Sequence, residues 1–371
     1  MEIVIGSRHH AVDIASALDT SGREHLVIVA KATWQIPGEG QRPRPLDPVE
    51  LAYSDVYVGA PGESAMLYGS DFARFKPRCD VVFDASAHAP DAQPVQTLGV
   101  AWQVGALRKA LMVHGPRVWR KRLGFTVPGK PEPFVAMPLH FGHAFGGTST
   151  WNKGDAVLTE ALLENPAGLG WRGPNAPGEV HGTSVPNLEA PDARVERPNG
   201  RYRPVAFSAL ARHWAPRKDF AGTYDEAWQE QVFPLLPADF DEQYHQCAPA
   251  DQQMPWPAGG DDVVLRNMMA GRPEVRFKLP RFDGVHVQVV DADYEVALLR
   301  PVVDTLYFEP DQGRFSAVWR TSVPLQRNIH DIRGIELGVG RPGRLDALMD
   351  RINNCAGCGT DMAAALPGGK P

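Results

Sequence analysis

The chain has 371 residues, 43% of them hydrophobic, with 38 Lys and Arg against 44 Asp and Glu for a formal net charge of −6. That composition can build substantial cores, but it argues against bulk electrostatic capture of nucleic acid, which needs clustered cations in a basic field. No run approaches the ~20 consecutive apolar residues of a spanning helix, and the amino terminus lacks the pattern of a Sec signal, so no membrane insertion and a cytoplasmic address are expected.

Proline and glycine, 34 and 36 residues, interrupt the chain every few positions. This disfavours long helices and favours short strands joined by turns. In Glu24–Ile36, the residues Leu26, Ile28, Ala30, Ala32, Trp34 and Ile36 fall on one face. His25, Lys31, Thr33 and Gln35 fall on the other, interrupted by Val27 and Val29; period two over that length predicts a strand. Val81, Phe83, Ala85 and Ala87 repeat the pattern, and Val100–Val104 with Leu111 and Val113 predict a hairpin turning at Gly105-Ala106. The cations Arg117, Arg120, Lys121 and Arg122 read as a solvated loop. From about Gly142 to Pro204 no strand pattern is visible. That length exceeds ordinary loops and predicts a partner-binding excursion, with Trp151, Asn165, Trp171 and Arg172 as its candidate contacts.

Further on, Thr223-Tyr224-Asp225-Glu226 has capping-box spacing and predicts a short helix that ends before Pro234. Val275, Phe277 and Leu279 are expected to face Val285, Val287 and Val289 across a hairpin turn at Asp283-Gly284. Tyr294–Leu299, Val302–Phe308 and Arg314–Val323 would complete a meander that turns at Pro310–Gly313. Leu345, Leu348, Met349 and Ile352 make one helical stripe, and Gly359–Pro371 reads as a flexible tail. The expected fold is mainly β: two closely packed sandwich- or barrel-like parts, a long irregular middle excursion and few short helices. The boundaries fall at 1–141 (amino-terminal β-rich part), 142–262 (loop-rich middle), 263–340 (carboxy-terminal meander) and 341–371 (helix and tail).

Several constellations invite a chemical reading. Asp239-Phe240-Asp241-Glu242 offers carboxylates, and nine tryptophans would suit sugar stacking, which raises the alternative of a carbohydrate-active hydrolase. The plainer reading is that Asp239 caps a turn while Phe240 packs. His140 and His143 could begin a zinc site, but Pro138 before them and Gly146-Gly147 after them leave no helix to align them. Cys355 and Cys358 form a CxxC without a second ligand pair, so they are read as exposed reduced thiols rather than half a metal site, and no cofactor is expected. Gly146-Gly147-Thr148-Ser149 lacks the phosphate-loop pattern, and Ser149 has no nucleophile elbow around it.

The strings that recur in order are more telling than any of these. Lys76-Pro77-Arg78-Cys79-Asp80 is followed by Gly115-Pro116-Arg117-Val118-Trp119, Phe145-Gly146-Gly147 and Asn165-Pro166-Ala167-Gly168-Leu169-Gly170. Then come Val185-Pro186-Asn187-Leu188, Trp214-Ala215-Pro216-Arg217, Ala221-Gly222-Thr223-Tyr224-Asp225 and Leu236-Pro237-Ala238-Asp239-Phe240. In this order, from about His25 to Trp319, the chain resembles the bacterial domain of unknown function 2169 family. The resemblance implies an adaptor or chaperone of the type VI secretion system rather than an enzyme. Such an adaptor holds an effector toxin or a PAAR-like tip protein for the spike; a structural component of the spike complex is a further alternative. The motif residues read as structural: glycines for close backbone approach, aromatics for cores, and Arg117, Arg217, Asp71, Asp80 and Asp239 for buried pairs that pin loops.

Overall fold

A computed structural model describes residues 2–198 and 200–339. The expected Leu345–Ile352 helix, the tail and the Cys355–Cys358 pair lie outside the described residues. Strand dominates, with a single α-helix, Glu226–Gln231, among the described residues. None of the sheets closes into a barrel, so of the two architectures expected it is sandwich-like packing that is found. No helix among the described residues is long and apolar enough to cross a membrane.

A seven-stranded sheet forms the centre, in the order Gln253–Met254, Cys79–Phe83, Val302–Glu309, Arg314–Pro324, Glu24–Gln35 and His10–Leu18, with Arg44–Pro45 paired beside Trp34 and Gln35. The Glu24–Gln35 strand lies between Arg314–Pro324 and the edge strand His10–Leu18 and is buried on both faces, so its alternation sorts residues between two cores rather than between core and water. Leu26, Ile28, Ala30, Ala32 and Trp34 belong to the main core, whereas Val27 and Val29 join Leu51 and Val318 in a smaller one. Each fully buried aliphatic side chain contributes ~1.5–3 kcal/mol over leaving it in water.

A five-stranded sheet packs on the aromatic face of the first. Its order is Leu188–Glu189, Leu107–His114, Thr97–Val104, Asp262–Arg266 and Glu274–Lys278. Contact is made by rings, with Trp102 5.0 Å from Phe83 and Phe277 5.4 Å from Phe315. Glu2–Ile5 lies parallel to Ile332–Val339, which brings the two ends of the described chain into a third sheet with Val285–Asp291 and Val296–Leu299.

Two of the three expected hairpins form where the sequence predicts them. Thr97–Val104 pairs with Leu107–His114 around Gly105-Ala106, and Val302–Glu309 pairs with Arg314–Pro324 around Pro310–Gly313. The Asp283-Gly284 hairpin does not form. Glu274–Lys278 pairs with Asp262–Arg266, and Val285–Asp291 pairs with Ile332–Val339 and Val296–Leu299. Phe282 is the reason: it is buried against Trp34 at 6.0 Å and Trp319 at 5.5 Å, so the chain crosses between sheets there instead of turning back. The expected 263–340 meander is therefore spread over three sheets, interleaved with amino-terminal strands. The 142–204 excursion is also less irregular than expected, because Thr148–Lys153 and Ala156–Ala161 pair as an antiparallel ribbon.

Candidate functional site

The second face of the central sheet holds three cations and three carboxylates in one sealed network, all nearly inaccessible to solvent: Lys31, Lys76, Arg320, Asp71, Asp80 and Asp304. Lys31 and Arg320 occupy register positions on neighbouring strands, with Lys31 opposite Val318 and Arg320 opposite Val29. Asp304 sits at the bulge before Thr305, which is level with Asp80. The covering chain supplies Asp71 and Lys76. Lys31 Nζ donates to Asp71 at 2.9 Å, and the same carboxylate accepts from the Ala52 amide at 2.7 Å and from the Tyr68 hydroxyl. Arg320 donates to Asp304 at 2.5 Å and to the carbonyls of Asp71 and Ala73. Thr305 donates to Asp304 at 3.0 Å and accepts from Lys76 at 2.9 Å. Lys76 donates to Asp80 at 3.0 Å.

Asp80 also gathers the chain after Tyr244. It accepts from Gln246 Nε2 at 2.6 Å, the Cys247 amide at 2.9 Å and the Ala248 amide at 3.2 Å. Burial opposes the Lys76 charge, yet Asp80, with Cys247 and Asp304 behind it, raises the ammonium above the ordinary lysine range. Burial and Asp80 push the Cys247 thiol up to about 12, so it is no nucleophile near neutrality. Cys79 and Cys247 are both buried and free of disulfide. At the rim, burial and the cations Arg212, Arg320, Lys76 and Arg217 hold His245 down at about 3. Glu242 stands 3.7 Å from that imidazole, but Arg74 already holds its carboxylate. The sequence motif identified Lys76 and Asp80. Lys31, Asp304 and Arg320 were missed, although a charge in the middle of an otherwise apolar strand is itself the signal for a buried partner.

The glycine motifs meet in a second buried node. Phe145–Gly146 runs parallel to Leu169–Gly170. Asn165, fully buried, donates from Nδ2 to the carbonyls of Phe141 at 2.9 Å and Phe145 at 3.0 Å. A Cβ on Gly146 would stand 2.2 Å from the Asn165 carbonyl, and one on Gly168 would stand 2.7 Å from the Ala144 carbonyl. Gly170, at φ +81°, leaves no room beside Pro186. Gly147 donates to the Asn165 carbonyl at 2.9 Å, and Pro166 accepts from the Thr148 hydroxyl at 3.0 Å. Trp214 packs edge-on against Phe141 at 5.9 Å. The node sits at the root of the Thr148–Ala161 ribbon and fixes where the ribbon leaves the body.

The remaining motif residues are anchors as well. Arg117 donates to Glu189 and to the Pro186 carbonyl, while Trp119 is enclosed by Val185 and Val195. Arg217 donates to the carbonyls of Tyr244 at 2.8 Å and Leu210 at 2.7 Å; its expected carboxylate partner is replaced by backbone. Asp239 is exposed rather than buried, and its two oxygens hold the Thr223 amide and hydroxyl beside Gly222. Thr223 is therefore not the helix cap. Asp225 caps Glu226–Gln231 by accepting from the Trp228 amide at 2.8 Å. Phe240 packs edge-on to Tyr244, and Asp241 accepts from the Gln243 amide. His140 accepts from the Gly142 amide and is held at about 4 by burial and by His143. Among the described residues no three His, Cys, Asp or Glu gather as a metal site.

Of the four candidate contacts, Asn165 is sealed inside the node and offers a partner no surface. Arg172 staples its own loop by donating to the carbonyls of Ala176 and Gly178. Trp171 and Trp151 are half-buried, and the Trp171 amide donates to the Gly146 carbonyl. Trp151 lies on the ribbon opposite Leu158, next to Val157, which is 67% exposed.

Residues 21–320 match the family model described as "uncharacterized protein conserved in bacteria (DUF2169)", and the chain belongs to that family. The matched span contains all six network charges and ends on Arg320. No curated protein and no solved structure matches the chain.

Proposed function

We propose that this chain is a cytoplasmic adaptor of the bacterial type VI secretion system that holds an effector toxin or a PAAR-like tip protein for loading on the spike. The observation that carries the reading is the Thr148–Ala161 ribbon. Thr150, Asn152, Lys153 and every residue from Ala156 to Thr159 are exposed on it, yet its root is locked by Asn165, Gly146 and Gly168. A rigidly mounted ribbon bearing Trp151, Val157 and Leu158 suits the capture of another chain, because preorganised aromatic and aliphatic anchors dominate interface energies. The hydrolase alternative gains nothing from the geometry, since Asp239 and Asp241 direct their oxygens to loop amides and Thr223.

Co-expression with type VI effector, PAAR-like tip and spike proteins from the same genome tests the proposal. Co-purification with one of them is expected. The exposed pair Val157→Asp and Leu158→Asp should abolish it, and Trp151→Ala should weaken it by ~2 kcal/mol or more, with melting temperatures unchanged. Retention of the partner by all three variants removes the ribbon from the interface. Absence of any partner with the parent chain overturns the adaptor reading.

A further inference from the structure

The outward face of the five-stranded sheet is a second surface that the motifs do not account for. Alternation sends Trp102, Val263 and Phe277 into the core. It therefore places Ala101, Gln103, Arg108, Val264, Arg266 and Arg276 on the other side, where two adjoining hollows of about 510 and 820 Å³ share Gln103, Val264 and Arg276. The floor is small and uncharged. Seven cations border the hollows; Lys109 is committed to Asp251 and Gln252, which leaves Arg42, Arg108, Arg266, Arg276, Lys278 and Arg281. Three carboxylates answer them. Glu274 is shared by Arg266 at 2.8 Å and Arg276 at 2.5 Å, Asp262 pairs with Lys278 at 2.8 Å, and Asp283 pairs with Arg281 at 2.6 Å. A fourth, Asp261, lies at the Gly105 end. Among the described residues no carboxylate lies within ion-pair distance of Arg42 or Arg108. On a chain of net charge −6 this is a local excess of positive charge.

The register sets the spacing. Arg108 lies opposite Gln103, Gln103 opposite Val264, and Val264 opposite Arg276, so one row crosses four strands. Three strand spacings separate Arg108 from Arg276 at their backbones by ~14 Å. That matches carboxylates about four residues apart on an extended chain at ~3.3 Å per residue. Arginine forks bind carboxylates in two-point geometry.

We propose that this trough binds an acidic, extended polypeptide segment of the partner, with carboxylates meeting Arg108 and Arg276 above Ala101, Gln103 and Val264. The identity of the segment as part of the loaded partner rests on the adaptor reading; the acid-binding trough itself does not. A polypeptide fits better than a polynucleotide. Trp102 and Phe277 border the hollows, but their rings are buried in the core and are not free to stack bases.

The test uses the full chain, a fluorescein-labelled ten-residue oligoglutamate and a labelled single-stranded DNA of similar length, followed by anisotropy. Oligoglutamate should bind, weaken steeply between about 0.05 and 0.3 M salt, and weaken about tenfold or more in an Arg108→Glu, Arg276→Glu double variant. A single Arg108→Gln variant, which leaves the Glu274 pairs intact, should show a smaller loss in the same direction. No oligoglutamate binding, binding unaffected by the double variant, or tighter binding of the DNA overturns the proposal. Co-purification separates the two readings. If the double variant keeps an effector or tip protein that the parent chain binds undiminished, the trough is not its dock while the adaptor function stands. If oligoglutamate binds and no secretion protein does, the trough stands and the adaptor function falls.

Discussion

On one face of the seven-stranded sheet Trp34, Phe83, Phe308, Phe315 and Trp319 stack towards the five-stranded sheet. On the other face Lys31, Asp80, Asp304 and Arg320 meet Asp71 and Lys76 from the covering chain. Both faces exclude water, but by different physics. The aromatic face gains from area removed from solvent, a non-directional term that tolerates many arrangements of similar volume. The charged face works only if every donor meets its acceptor, because a lone charge there has no solvent to turn to. Relative to an apolar filling it adds little net stability. What it does is penalise any misplacement of the covering chain, since a shifted Asp71 or Lys76 would leave an unpaired ion against the sheet. The contrast separates a face that holds the molecule together from one that fixes the path of a segment, and it can be broken at either face.

The largest effect is expected at Arg320. Arg320→Leu leaves Asp304 buried without its cation and removes donors from the Asp71 and Ala73 carbonyls. Breaking a buried pair from one side costs ~3–5 kcal/mol, which thermal or urea unfolding would register. Arg320→Leu combined with Asp304→Leu should recover part of that loss, because no ion is then stranded. If the single variant loses under ~1 kcal/mol, the charged face does not discipline the fold and the contrast fails.

The sequence made the aromatic face readable and hid the charged one for a physical reason. Alternation in Glu24–Ile36 is a local signal, and it placed Leu26, Ile28, Ala30, Ala32 and Trp34 correctly on one face. Hairpins at Gly105-Ala106 and Pro310–Gly313 were readable because partner strands adjoin in sequence. Ion pairing obeys no such locality. Lys31 finds Asp71 forty residues on, and Arg320 donates to backbone 249 residues before it. Only Lys76 and Asp80, four apart, stood together in one recurring string, and their pairing is a finding of the structure. The Asp283-Gly284 turn misled because turn chemistry is silent about Phe282, whose burial between Trp34 and Trp319 sends the chain to another sheet. The glycine motifs were read as structural from residue type, but their convergence on Asn165 is a long-range fact, and it moves Asn165 from candidate contact to buried scaffold.

Acid should sharpen the contrast with a smaller effect at each titrating residue. His245 borders the charged face and is held at about 3 by burial and neighbouring cations. His10 packs on Trp319 at 5.4 Å and is held at about 4 by burial and His9. Both values lie below the ~6.5 of an unfolded histidine. The unfolded chain therefore takes up protons first as pH falls, and stability present above ~6.5 is lost progressively towards pH 4, on the order of 3 kcal/mol for each histidine. Melting temperatures between pH 7.5 and 4.5 should show this slope. His245→Gln should flatten it more than His10→Gln, because cations surround His245. Equal slopes in the parent and both variants would refute the assignment.

The smallest effect belongs to the aromatic face. Ile28 is 1% exposed on the same strand as Lys31 but points into the main core. Ile28→Val removes one methylene from a surface whose neighbours are held by contact area alone. The expected loss is ~1 kcal/mol, from lost transfer energy and a partly relaxed cavity. No directional partner is orphaned, so the cooperativity of unfolding should not change. The comparison with Arg320→Leu is the measurement that matters. Two substitutions on adjacent strands, one on each face, should differ about threefold or more in free energy, and only the Arg320 change should be relieved by altering a second residue. If Ile28→Val cost as much as Arg320→Leu, the aromatic face would be as exacting as the charged one, and the covering chain would owe its path to packing rather than to charge.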